Sequence, residues 1–258
     1  MFFHFQIFLH SLFFLIFLQF VSGEFISEKL GLISAGNVWI FMVIFFSLLV
    51  YFYKVALRIS RRASMTPIPV LLVVSTTGLL YFVQSEGQKQ ILILIAASVY
   101  YFLHIALYRL RTYDKDKTAR AIVAAGCVAA VFLFYATSYG IYLNFAISLW
   151  IPMSIFMLVT VLISLQYFWL INDNKKNVFN YSLVLGFVMA EIVWVLNFWP
   201  FGYLTTGVIS LIFYYVFWDI VQRHFLDELT KKRIIANMFV FGFLVALVLS
   251  STRWLPVI

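Results

Sequence analysis

Residues 90–110 read QILILIAASVYYFLHIALYRL, with no charge before Arg109, and the next ten residues add Arg111, Lys115, Lys117 and Arg120. An apolar run of that length matches the roughly 20 residues that a helix needs to cross a hydrocarbon core. The polar stretch after it cannot follow it into lipid. Moving outward in both directions, the alternation recurs. Apolar runs are expected at about 36–57, 67–84, 90–110, 119–137, 143–171, 178–199, 202–222 and 234–252. A further apolar segment occupies residues 1–23, ahead of a single domain over 24–258.

The basic residues choose sides. All but Lys29, Lys89 and Arg253 of the 18 Lys and Arg residues fall on alternate connections. Those groups are Lys54 to Arg62, Arg109 to Arg120, Lys175 with Lys176, and Arg223 to Arg233. Basic loops stay cytoplasmic during insertion. The expectation is an all-α polytopic helical membrane bundle in the cell membrane, with eight core spans and an N-terminal ninth. The basic loops face the cytoplasm, and Glu24 to Gly36 and the C-terminus lie outside. A composition of 64% hydrophobic and 11% charged residues agrees, because too little polar surface exists to coat a water-soluble body. The net charge of +8 is gathered on one face beside anionic lipid, so it gives no reason to expect nucleic acid.

Two segments admit alternatives. Residues 1–23 lack a basic n-region but end in Val21-Ser22-Gly23, so they read as a retained span or as a cleaved signal peptide; their length favours the span. The run at 143–171 exceeds one crossing and contains Pro152, which suggests a tilted helix kinked at the proline. A broken helix lining a cavity is the other reading.

Glu191 is the one acid deep inside a run. An ionised side chain at the bilayer centre costs at least about 2.5–3.5 kcal/mol, so the neutral acid is the cheaper state. No Lys or Arg occupies the middle of any run, whereas hydroxyls at Tyr101, Ser210 and Tyr214 are expected at comparable depth. His104 lies on a helical stripe with Ala97, Tyr101, Tyr108 and Arg111, a polar face that leads towards the basic loop. Either Glu191 carries a proton or meets a cation with these residues around it, or it joins helices by hydrogen bonds. Lys54, Arg58, Arg61 and Arg62 recur as one face of a continuing helix, suited to anionic headgroups. Ala121, Ala125 and Ala129, with Gly126 and Ala130, suggest a close-packed helix. Trp39, Tyr142, Tyr167, Trp169, Trp199, Tyr203 and Trp254 read as interface anchors, and Asp219, Asp227 and Glu228 as part of a solvated extension.

No HExxH, GxSxG or P-loop occurs, and the lone Cys127 can form neither an internal disulfide nor a thiolate metal site. Neither a metal nor a cofactor is expected, and an enzyme is disfavoured.

Glu191-Ile192-Val193-Trp194, Phe198-Trp199-Pro200, Gly207 and Tyr214-Tyr215 resemble the signature region of an uncharacterised family of bacterial multi-span membrane proteins. The resemblance covers the last three runs. It implies a polytopic membrane protein and no particular activity. The functional expectation is a transporter or channel-like protein with Glu191 as its proton- or cation-responsive group. The alternative is a non-catalytic membrane scaffold or assembly factor.

Overall fold

A computed structural model describes residues 2–23, 38–145, 147–199 and 201–251. Among them are nine α-helices: α1 (Phe2–Ser22), α2 (Val38–Ser60), α3 (Pro67–Phe82), α4 (Glu86–Thr112), α5 (Lys117–Phe145), α6 (Trp150–Phe168), α7 (Lys175–Leu196), α8 (Tyr203–Phe225) and α9 (Lys231–Ser251). All nine are long and apolar enough to cross a membrane. Helices suit such runs because each closes its own backbone hydrogen bonds without help from water. The expected segment 24–36, Arg253, Trp254 and Pro200 lie outside the described residues, as does the side chain of Trp39.

One expected boundary is corrected. The run at 143–171 is not a single kinked or broken helix: α5 continues to Phe145, and a new helix starts at Trp150. Pro152 therefore sits in the first turn of α6, where a missing N–H costs nothing because that donor has no intrahelical acceptor.

The helices group into two compact units, Met1–Ala130 and Val131–Ile258, with the division inside α5. In the first unit α1 packs on α4 and α3. Phe14 of α1 is fully buried against Tyr100 of α4 and Phe52 of α2, with ring centroids 4.6 and 5.7 Å apart. Gln19 and Gln90 exchange side-chain hydrogen bonds of 2.6 and 3.1 Å, and His10 Nδ1 lies 2.8 Å from the Tyr51 hydroxyl.

The basic group after α2 does not lie on one helical face. Arg61 adopts φ 56°, and its N–H donates to the Leu57 carbonyl at 2.8 Å, which closes the helix at Ser60. Arg62 then turns away in extended backbone. Asp116 caps α5: its carboxylate accepts the Ala119 N–H at 3.0 Å and the Arg109 guanidinium at 2.8 Å. The Ala119 N–H and the Arg109 charge both hold the Asp116 carboxyl below its ordinary range. Cys127 is a buried packing residue. The expected alanine seam is only partly right. Gly126 and Ala130 are buried, whereas Ala121 and Ala125 face outward.

In the second unit α6 and α7 form the closest helix pair. A Cβ added at Gly186 would lie 2.5 Å from Val161 Cγ2 and 2.9 Å from the Met157 carbonyl oxygen. Gly207 of α8 is close but less tight against Ala136 of α5, whose Cβ and backbone nitrogen would lie 3.0 and 3.3 Å from an added Cβ. α9 lies along α8, with Phe213 and Phe241 rings 4.8 Å apart, yet none of its residues is buried.

Gly186→Ala should therefore force the α6 and α7 backbones apart and cost about 1–3 kcal/mol, the usual penalty for overpacking. Gly242→Ala, with nothing within 4 Å of the added carbon, should be neutral or slightly stabilising. Thermal unfolding of the two variants in one detergent checks this, and equal losses would contradict it.

Candidate functional site

Of the five residues expected to form an intramembrane polar site, Tyr101 and His104 belong to the first unit, and Glu191, Ser210 and Tyr214 to the second. Within the second unit Glu191 stands apart from the other two. The buried face of α7 is Ser182, Leu185, Gly186, Met189, Ala190 and Val193, the side that meets α6 and α8. Glu191 is on the exposed face. It is flanked there by Phe187, Trp194 and Phe198, which are 50%, 50% and 67% exposed. Among the described residues nothing forms a hydrogen bond or ion pair with it. The sequence located the acid; its direction is outward.

Ser210 and Tyr214 point the other way, into the packed interior. The Tyr214 hydroxyl lies 3.4 Å from Ser164 Oγ of α6. One turn earlier on α6, Thr160 Oγ1 meets the Tyr135 hydroxyl of α5 at 2.5 Å and donates to the Phe156 carbonyl at 2.6 Å. Tyr135 also stacks on Phe156 and meets the Tyr214 ring edge-on. This buried hydroxyl cluster of three helices escaped the sequence reading. Tyr135, Thr160 and Ser164 look like ordinary small or aromatic positions until the helices are placed.

Near the basic end of α8, Asp219 is buried, not solvated as expected. Its Oδ2 accepts from Arg223 Nε at 2.7 Å and from Asn237 Nδ2 of α9 at 2.5 Å. This is the polar clasp between α8 and the otherwise exposed α9. Asp227, with φ 54°, lies just past the end of α8. Tyr167 is buried as well, with its ring 4.7 Å from that of Trp218.

In the first unit the expected stripe on α4 is where α1 docks. Tyr101 and Tyr108 pack on the cluster of Ile7, Val55 and Ile59, and Arg111 lies 5.6 Å from the centroid of Phe3. His104 is fully buried. Its Nδ1 lies 2.8 Å from the Tyr100 carbonyl oxygen, which can only accept, so Nδ1 carries the proton. Among the headgroup candidates Lys54, Arg58, Arg61 and Arg62 are all exposed, but Arg62 is held by Asp114 at 2.8 Å. Among the described residues no group of three or more His, Cys, Asp or Glu converges to hold a metal ion.

These observations define an all-α protein whose nine described helices are each apolar enough to span a membrane, with polar side chains held inside its second unit. Residues 52–252 match the family described as a protein of unknown function, DUF5656, and the chain belongs to that family. The matched region begins within α2, so it reaches well beyond the last three helices that carried the resemblance in sequence. No curated protein and no solved structure matches the chain.

Removing the clasp separates two kinds of acid. Asp219→Ala leaves Arg223 and Asn237 without their shared acceptor and should cost about 1–3 kcal/mol. Glu191→Ala should change stability by less than about 0.5 kcal/mol, as at sites free of packing and pairing. Chemical or thermal unfolding of both in the same micelle reads the difference.

Proposed function

We propose that this is a multi-pass protein of the cell membrane, with its basic loops cytoplasmic, acting as a transporter or channel-like protein. Glu191 is its proton- or cation-responsive group. The observation that supports this is the state of that acid: five residues before the end of the apolar helix α7 at Leu196, on an exposed apolar face, and bonded to no other described residue. An acid that only glued this unit together would be tied to a neighbouring helix. An unpartnered ionisable residue within a spanning helix is expensive, and such residues mark proton and ion pathways. Lys54, Arg58 and Arg61, exposed and without an acidic partner among the described residues, would rest against anionic headgroups at about 1 kcal/mol each.

A second reading is favoured by the same face. Phe187, Trp194 and Phe198 around Glu191 would suit a helix of another membrane protein, with the acid as its hydrogen-bonding point; the protein would then be a scaffold or assembly factor.

Purified protein in liposomes decides between them. In the transport reading an imposed pH gradient drives a flux of protons or monovalent cations. Glu191→Gln lowers it at least ten-fold while the melting temperature stays within a degree or two. In the scaffold reading no flux exceeds that of empty liposomes, and a photo-crosslinker at Trp194 captures another membrane helix.

A further inference from the structure

α8 carries a second pattern that Glu191 does not use. Thr206, Ser210, Tyr214, Trp218 and Gln222 recur every fourth residue. They form one inclined row over about 24 Å of helix, at 1.5 Å per residue, which drifts round the axis by about 40° at each step. The first four side chains are buried. Thr206 Oγ1, Ser210 Oγ, Trp218 Nε1 and Gln222 Oε1 are shut away from the surface without any hydrogen-bond partner. Buried polar groups are almost always paired, so four orphans on one stripe of one helix are not background.

Ser138 Oγ of α5 and Ser182 Oγ of α7 are shut away in the same manner, but only α8 carries several such groups in one row within the second unit. Hydroxyls on helices ordinarily turn back to a carbonyl of the preceding turn, as Thr160 does to Phe156 at 2.6 Å and Thr137 does to Leu133 at 2.7 Å. Thr206 and Ser210 make no such bond. Their hydroxyls stay available to something else. At the centre of the stripe the Tyr214 hydroxyl meets Ser164 Oγ in a long hydrogen bond of 3.4 Å.

The chemistry of the stripe limits what that something is. Every group on it is neutral, and it presents donors and acceptors in mixed order: hydroxyls that do both, an indole N–H that only donates, and an amide oxygen that only accepts. A metal cation would find too few oxygens, and an anion would find no positive charge. We infer that the α8 stripe holds a file of hydrogen-bonded water molecules, and that this file passes protons through the second unit. Ser210 and Tyr214 can both accept and donate, so a proton taken up on one side of each is matched by one released on the other. Trp218 orients water but cannot relay. The inference takes its purpose from the transport reading above, while its geometry is independent of Glu191.

The test uses the full chain in lipid nanodiscs, labelled with ¹⁵N at tryptophan indoles, the Trp218 signal being assigned by its loss in Trp218→Phe. The expected result is an indole N–H of Trp218 that exchanges with solvent within seconds and shows a direct water contact. Thr206→Val and Ser210→Val should slow that exchange at least ten-fold and lower proton flux in liposomes by the same factor, with the melting temperature unchanged or raised. An indole N–H protected for hours in the unmodified protein overturns the inference, whatever Glu191→Gln does to flux. Rapid exchange together with a flux insensitive to Glu191→Gln removes Glu191 from transport and leaves the water file standing. Should Ser210→Val not fold, Ser210→Ala with Thr206→Val carries the same comparison, and an unchanged exchange rate in that pair refutes the file.

Discussion

Every described apolar run closes its backbone hydrogen bonds along a helix, which is what a medium without water would demand of it. Everything else follows from that constraint. Once the backbone is self-satisfied, contact between helices depends on side-chain shape and on the few polar side chains available. Shape explains Gly186, where α6 and α7 come too close for a Cβ, and Gly207, where α8 meets Ala136. Polarity explains the Asp219 clasp, which ties α8 to a helix with no buried residue of its own.

The sequence is most legible where charge and length speak together. Run length and the alternation of basic loops give the helices to within a few residues at most ends. They fail at the α5–α6 junction because residues 143–171 carry no charge, and hydropathy alone does not mark the four-residue connection between the two helices. Pro152 was visible, but it marks the start of a helix as readily as a kink. Likewise nothing in Ser60-Arg61-Arg62 announces a left-handed residue. The helical spacing of the four basic residues survives only as far as Arg58.

Facing was harder to read than position. An amphipathic helix reveals its buried side by contrast, and helices that are apolar all round offer none. Glu191 lies on the exposed face of α7, away from its α6 side, while Ser210 and Tyr214 are buried in the packing of α8. The stripe on α8 was partly visible, since Ser210 and Tyr214 were already four residues apart. Extending the same step to Thr206, Trp218 and Gln222 needed the burial of their polar atoms, which no sequence displays. The stripe on α4 shows the opposite case. Its spacing was plain, and Tyr101 and Tyr108 pack on Ile7 of α1 with Val55 and Ile59 of α2.

A transporter or scaffold of this design requires the chain to thread a bilayer with its basic connections on one side. Single cysteines at Lys115, Asn174, Gly87 and Gly202, introduced into a Cys127→Ala background, measure that directly in intact cells with a membrane-impermeant thiol reagent. Labelling at positions 87 and 202 only, with 115 and 174 reached only after lysis, is the predicted result. Labelling of positions 115 and 87 from the same side would contradict it.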